Sequence, residues 1–206
     1  MVKERDIAAT LLESTVRVIA RDGLDKASIR TISADCQVPN PYIYQHFESK
    51  DGLWVSAFSQ VDLRLVAALT RILSSVHQLT PDIEVRCQMI WLRLWNLMME
   101  SKEYTQFYLQ YYYSKYFERF SKVEHQERLQ PVECLIRNCF VEDANVQVLL
   151  QHILDNMMNL AMKAYNGDLS NDADAKPHLY RLTIAPIAPY LNKKNSEPQI
   201  EGEICL

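Results

Sequence analysis

The chain has 206 residues, 48% of them apolar, with a formal net charge of −4. That length suits one ordinary domain or a small domain fused to a larger one. The charge excludes a uniformly basic nucleic-acid binder, though not a local contact patch. Only 4 glycines are present, which favours helix over sheet. The 5 cysteines are odd in number and form no CxxC pair, so reduced thiols are expected rather than a disulfide framework or a zinc site. The charged start "MVKERDIAATLLE" has no apolar signal core, and no run of 18 apolar residues is visible. The expectation is a soluble cytoplasmic protein with no membrane partner.

Taken in chain order, Ile7, Leu11, Thr15, Val18 and Ile19 share one face of a helix over residues 4–22. Gly23 follows where a helix-closing glycine belongs. Ser28 is placed to cap a second, short helix whose buried side is Ile29, Ile32 and Cys36, although Thr31 stands where a capping box prefers Glu. Val38 precedes a proline and leaves helical angles. In "VPNPYIYQHFESK", Asn40 suits an N-cap and Pro41 the first helical position, so the prolines start a third helix rather than breaking one. Ile43 and Phe47 dock that helix, while Tyr42, Tyr44, Gln45 and His46 have no evident core duty. Short helices joined by tight turns, the last of them polar and aromatic, make a helix-turn-helix pattern. Ser49 caps a fourth helix on which Leu53, Ala57, Val61, Leu65, Leu69 and Leu73 step by four.

Longer helices follow. The spacing predicts one from Pro81 to about Glu100, an aromatic stretch from Tyr104 to Phe120, and a helix opened by Pro131. A long helix over residues 144–164 is expected to be capped by Asp143 and closed by Gly167. "GDLSNDADA" reads as a loop, and Pro186 and Pro189 bend or end the helical stretch after it. The last residues, 193–206, have little to bury and are expected to be a disordered tail.

The order and spacing of residues 26–53, "KASIRTISADCQVPNPYIYQHFESKDGL", resemble the DNA-binding domain of the TetR (tetracycline-repressor-type) family. The matching positions are Ser28, Arg30, Ile32, Ala34, Val38, Ile43, Tyr44, His46, Phe47, Ser49, Lys50 and Leu53, with Gly23 and Leu24 upstream. Gln37 departs from the pattern where the family commonly has glycine, and Pro39 and Pro41 stand at further departures. The resemblance implies an all-α chain. Residues 1–50 would form the helix-turn-helix domain, a helix over 51–75 would connect, and residues 51–192 would be a helical effector-binding and dimerisation domain. It implies a ligand-responsive repressor acting as a homodimer on a palindromic double-stranded operator. The alternative is an adaptor or activator of the same fold that works through protein partners without an effector.

The same resemblance gives roles to residues. Ser28, Arg30, Tyr44, His46 and Lys50 would hold phosphates, and Asn40, Pro41, Tyr42 and Gln45 would face base edges, Gln45 pairing with adenine. Charge gives little help: Lys3, Arg5, Arg17, Arg21, Lys26, Arg30 and Lys50 are cancelled by Glu4, Asp6, Glu13, Asp22, Asp25, Asp35 and Glu48. A modest salt dependence is expected, and a two-fold dimer is needed for specificity.

For the larger part, Val146, Leu149, Ile153, Met157 and Ala161 form an apolar stripe which, with Leu135 and Ile136, is a candidate dimer interface. A wide stripe is equally at home inside one domain. The tract "YTQFYLQYYYSKYFERF", with Trp91, Trp95 and Met98 before it, offers a lining for a small apolar or cationic aromatic effector; Tyr108, Tyr111, Tyr112 and Tyr116 are its candidates. Ordinary aromatic core explains the same residues. No P-loop, GxSxG, HExxH or dinucleotide fingerprint is present, and the histidines are scattered, so no catalytic residue, metal site or cofactor is expected.

Overall fold

The computed structural model describes residues 4–77, 79–80 and 82–192, with the side chains of residues 4–6 and 77 left aside. The expected tail, 193–206, and Pro81 lie outside the described residues. The elements are α1 (Glu4–Asp22), α2 (Ile29–Cys36), α3 (Asn40–Phe47), α4 (Lys50–His77), α5 (Ile83–Glu100), α6 (Lys102–Tyr112), a π-helical turn (Phe117–Ser121), α7 (Lys122–Ile136), α8 (Val146–Tyr165) and α9 (Lys176–Ile184). Short 3-10 turns follow α7 and α9. Among the described residues a single antiparallel bridge, Phe140 to Leu191, joins the segments after α7 and α9. The chain is all-α, as expected from its sequence.

Contacts divide the chain into two units, Met1–Leu65 with Ser101–Arg128, and Val66–Glu100 with Leu129–Leu206. Helix α6 packs along α1 and joins the first unit. In that unit Leu11, Val18, Ile19, Ile32, Ile43, Leu53, Trp54, Phe58 and Phe107 are fully buried. Each such side chain contributes about 1.5–3 kcal/mol by leaving water. The second unit packs α5, α8 and α9 together around Trp91, Leu94, Trp95, Leu154 and Met157.

Helix α4 is long and apolar enough, over Lys50–Val76, to cross a membrane by composition alone. Many of its apolar side chains are spent on the fold, Leu63 being exposed: Leu53, Trp54, Ala57, Phe58 and Val61 are buried in the first unit, Ala68, Leu69 and Val76 in the second.

Three local expectations need correcting. Helix α3 begins at Asn40, so Pro39, with extended angles (φ −59°, ψ 142°), is the cap and its carbonyl accepts Tyr42 N–H at 3.1 Å. Proline has no side-chain acceptor, so the cap is made by backbone alone. Pro131 does not open a helix but lies inside α7. It is exposed, so the Glu127 carbonyl that loses its N–H partner faces water. Asn145, not Asp143, caps α8, its side-chain oxygen accepting Val148 N–H at 3.2 Å.

Candidate nucleic-acid interface

Two turns aim α3. The first begins with Ser28, whose hydroxyl accepts Thr31 N–H at 3.2 Å while Thr31 Oγ1 accepts Ser28 N–H at 2.9 Å. Thr31 thus completes the capping box in place of Glu. Gln37 then takes the left-handed conformation (φ 57°, ψ 27°) that the family usually gives to glycine. Ser33 Oγ donates to the Val38 carbonyl at 2.5 Å and fixes the chain as it leaves α2. Ile43, at 0% exposure, is the one buried residue of α3.

The second turn closes α3 and opens α4. Glu48 adopts a positive φ of 62° and donates its N–H to the Tyr44 carbonyl at 3.0 Å. Ser49 Oγ accepts Gly52 N–H at 3.0 Å. A Cβ at position 52 would lie 2.2 Å from the Phe47 carbonyl oxygen, so only glycine fits there. The sequence reading missed Glu48 and Gly52. The signal was the Ser49–Lys50–Asp51–Gly52 run, in which a glycine in a first helical turn has no use unless backbone approaches closely.

The outer face of α3 holds Asn40, Pro41, Tyr42, Tyr44 and Gln45, all exposed, with Tyr44 at 54%. Because Pro39 makes the cap, the Asn40 amide is not spent on the helix. Arg30 is exposed in the first turn of α2, and Ser28 is half-buried in its own cap. His46 is half-buried beside Phe47, ring centroids 6.1 Å apart, with its Nε2 enclosed and unpartnered. Lys50 is half-buried, its Nζ 5.0 Å over the Trp54 ring.

The charge on this domain is largely used internally. Arg17 Nη2 lies 2.7 Å, and Arg21 Nη1 3.4 Å, from Asp35. Ser14 Oγ also donates to Asp35 at 2.8 Å. Burial pushes the Asp35 carboxyl up, but Arg17, Ser14 and Arg21 together hold it below the usual carboxylate range. These contacts clamp α2 onto α1, so the two arginines serve the fold.

The candidate effector residues fall into separate groups. Tyr108, Tyr111 and Tyr112 of α6, and Tyr116 after it, belong to the first unit. Phe58 stacks on Tyr111 at 4.5 Å and meets Phe117 edge-on at 5.5 Å. Tyr111 shares a 2.9 Å hydrogen bond with Ser121, and burial pushes its phenol up to about 12. Trp91, Trp95 and Met98 belong to the second unit, where the indoles stack at 5.2 Å. Trp91 Nε1 donates to Thr183 Oγ1 at 3.1 Å, and Trp95 Nε1 to Asn171 Oδ1 at 2.6 Å. Of the candidate dimer residues, Ile136, Val146, Leu149, Met157 and Ala161 are buried within their own chain, and Ile153 is half-buried. Leu135 is exposed at 47%. Val148 and Leu182 are also exposed, and sequence spacing did not single them out.

Residues 11–57 match the family model described as bacterial regulatory proteins, tetR family. Through this N-terminal segment the chain is similar to the TetR family. Over 84 residues it is 25% identical to the HTH-type nicotine-responsive transcriptional repressor HdnoR of Paenarthrobacter nicotinovorans, a match covering 41% of this chain and 43% of that protein. This chain therefore spans less than half the length of the curated relative it matches. A solved TetR family transcription regulator from Marinobacter aquaeolei VT8 superposes with a TM-score of 0.71 at 17% identity, covering 87% of this chain and 95% of that one. Another, from Shewanella sp. PV-4, gives 0.70 at 15% identity over 87% and 96%. At such identities these two show the shared fold. TetR-family regulators are DNA-binding transcription factors rather than enzymes.

Proposed function

We propose that this chain is a ligand-responsive transcriptional repressor that binds a near-palindromic operator as a homodimer in the cytoplasm. The observation that carries the reading is the outer face of α3. Five neighbouring positions, Asn40, Pro41, Tyr42, Tyr44 and Gln45, are exposed around one buried anchor, Ile43. Asn40, Pro41, Tyr42 and Gln45 face base edges; Arg30, Tyr44 and Lys50 reach phosphates, with Ser28 and His46 beside them. One short helix reads few base pairs, so a second copy is required. Among the apolar side chains left outward in the second unit, Leu135, Val148 and Leu182 support a homodimer contact there.

The effector reading is supported by the rings of Tyr108, Tyr111, Tyr112 and Tyr116, with Trp91, Trp95 and Met98 as a second group. The matched repressor is named nicotine-responsive, and nicotine joins an aromatic ring to a basic nitrogen. That agrees with a small apolar or cationic aromatic effector here. A route from α6 to the DNA-binding helices lies within the first unit. Glu13 of α1 accepts from Tyr104 at 2.5 Å and from Arg64 at 2.8 Å, and Gln110 donates to the Ala20 carbonyl at 3.2 Å. A ligand that favours one arrangement of α6 shifts the population of α1 with it.

Selection of DNA by the full chain from a random duplex library tests the function. A repressor of this kind enriches one near-palindromic sequence. Enrichment of none would replace this reading with the adaptor one.

A further inference from the structure

We propose that His125 Nε2 is the polar anchor of the effector site, and that effectors of this chain carry an N–H or O–H donor on a compact, ring-bearing apolar body. The inference rests on the ligand-responsive reading and names its ligand class.

His125, on α7, is 3% exposed and its Nδ1 lies 2.8 Å from Asp62 Oδ1. Asp62 is itself fully buried, and Arg128 Nη1 donates to its second oxygen at 3.0 Å. A carboxylate accepts and cannot donate, so Nδ1 carries the hydrogen. With its hydrogen on Nδ1, a neutral imidazole keeps its lone pair at Nε2. That atom is buried and has no hydrogen-bond partner. Arg128 is not available to it, being committed to Asp62, Ser59 at 2.9 Å and Glu124 at 2.5 Å.

An acceptor left this way has lost its water without gaining a partner. Here the tautomer is fixed by a second buried group, which is how a ring is held ready for a particular partner. The surroundings define the rest of that partner. Phe117, Tyr112, Phe58 and Tyr108 place ring centroids 5.4, 5.7, 6.2 and 6.3 Å from the imidazole. All four rings are tilted or perpendicular to it, so they surround the imidazole without stacking on it. Apolar rings around one acceptor suit an aromatic or aliphatic body bearing one donor. The donor is either a cationic amine, which gains from the ring faces, or a neutral hydroxyl or N–H.

The test uses three probes of nearly one shape: benzylamine, benzyl alcohol and ethylbenzene. Binding to the full-length protein and to His125→Phe is measured by calorimetry. The expected result is that His125→Phe weakens benzylamine, benzyl alcohol or both about tenfold and leaves ethylbenzene unchanged. The relative loss of the amine and the alcohol tells a charged donor from a neutral one. Equal effects on all three probes, or no binding of any donor probe to the wild-type protein, overturn the proposal. Nitrogen-15 NMR of the wild-type protein gives a reading that survives a folding failure of the variant. It should show hydrogen on Nδ1 in the free protein and a shift of Nε2 with the donor probes only. Hydrogen on Nε2, or an Nε2 already held by a resident water and indifferent to the probes, overturns it as well. Operator selection is scored separately, so loss of DNA binding and loss of donor discrimination are distinct outcomes.

Discussion

Helices α3 and α6 both carry tyrosines close together in sequence, yet they treat them in opposite ways. Tyr42 and Tyr44 stand on the outer face of α3 at 39% and 54% exposure, while Tyr108 and Tyr111 of α6 are almost wholly covered. Composition does not separate them. Length and neighbours do: α3 is 8 residues long and is held by Ile43, so its outer face has nothing to pack against. Helix α6 lies along α1 and against Phe58 of α4, so its rings are enclosed on more than one side. A tyrosine is a core residue in one setting and a contact residue in the other.

The comparison breaks first on stability. Tyr111→Ala should cost about 4 kcal/mol in denaturant unfolding, because it removes a stacked, hydrogen-bonded ring. Tyr44→Ala should stay within about 0.5 kcal/mol of wild type. Similar losses for both would erase the distinction between the helices. It sharpens on DNA. Tyr42→Ala and Gln45→Ala should each lower affinity for the selected operator about tenfold at fixed salt, with unfolding unchanged. Binding that ignores both substitutions would remove α3 as the reading helix.

Smaller effects test how α3 is held. Gln37→Gly should raise stability by roughly 0.5–1 kcal/mol, because Gln37 sits at φ 57° where glycine carries no steric cost. A destabilised Gln37→Gly would mean that the side chain does something its exposure does not reveal. Asp35→Asn should lower stability modestly at neutral pH. The folded-state value of this carboxyl is depressed, so its contribution is present above the unfolded value of about 4 and is lost as pH falls through the folded one. Unfolding curves of wild type and variant should therefore converge in acid; a gap that persists there would point to packing rather than charge.

Much of the fold was legible in the sequence, because helix periods, caps and closing glycines are local. Gly23, with φ 92°, closes α1 as its position announced, and Ser28 and Ser49 cap where expected. The errors were local too. Pro131 looked like a start because proline usually is one, but its exposed position lets α7 run through it. The outward residues of α3 could be named in advance, since a short helix with one anchor leaves its other positions free. What sequence could not give was pairing over distance. Nothing local says that Asp62 and His125 meet at 2.8 Å, or that Arg17 and Arg21 spend their charge on Asp35.

By itself, the sequence determined an all-helical chain, a turn that starts α3 at its prolines, and a family likeness carried by residues 26–53. These follow from backbone preferences that act over a few residues. Only the tertiary structure decided that α6 joins α1, α2 and α3 in one unit, that most of the α8 stripe is buried in its own chain, and that His125 Nε2 is left unsatisfied among rings. Burial and hydrogen-bond satisfaction depend on segments far apart in the chain, and no local pattern encodes which of them will touch.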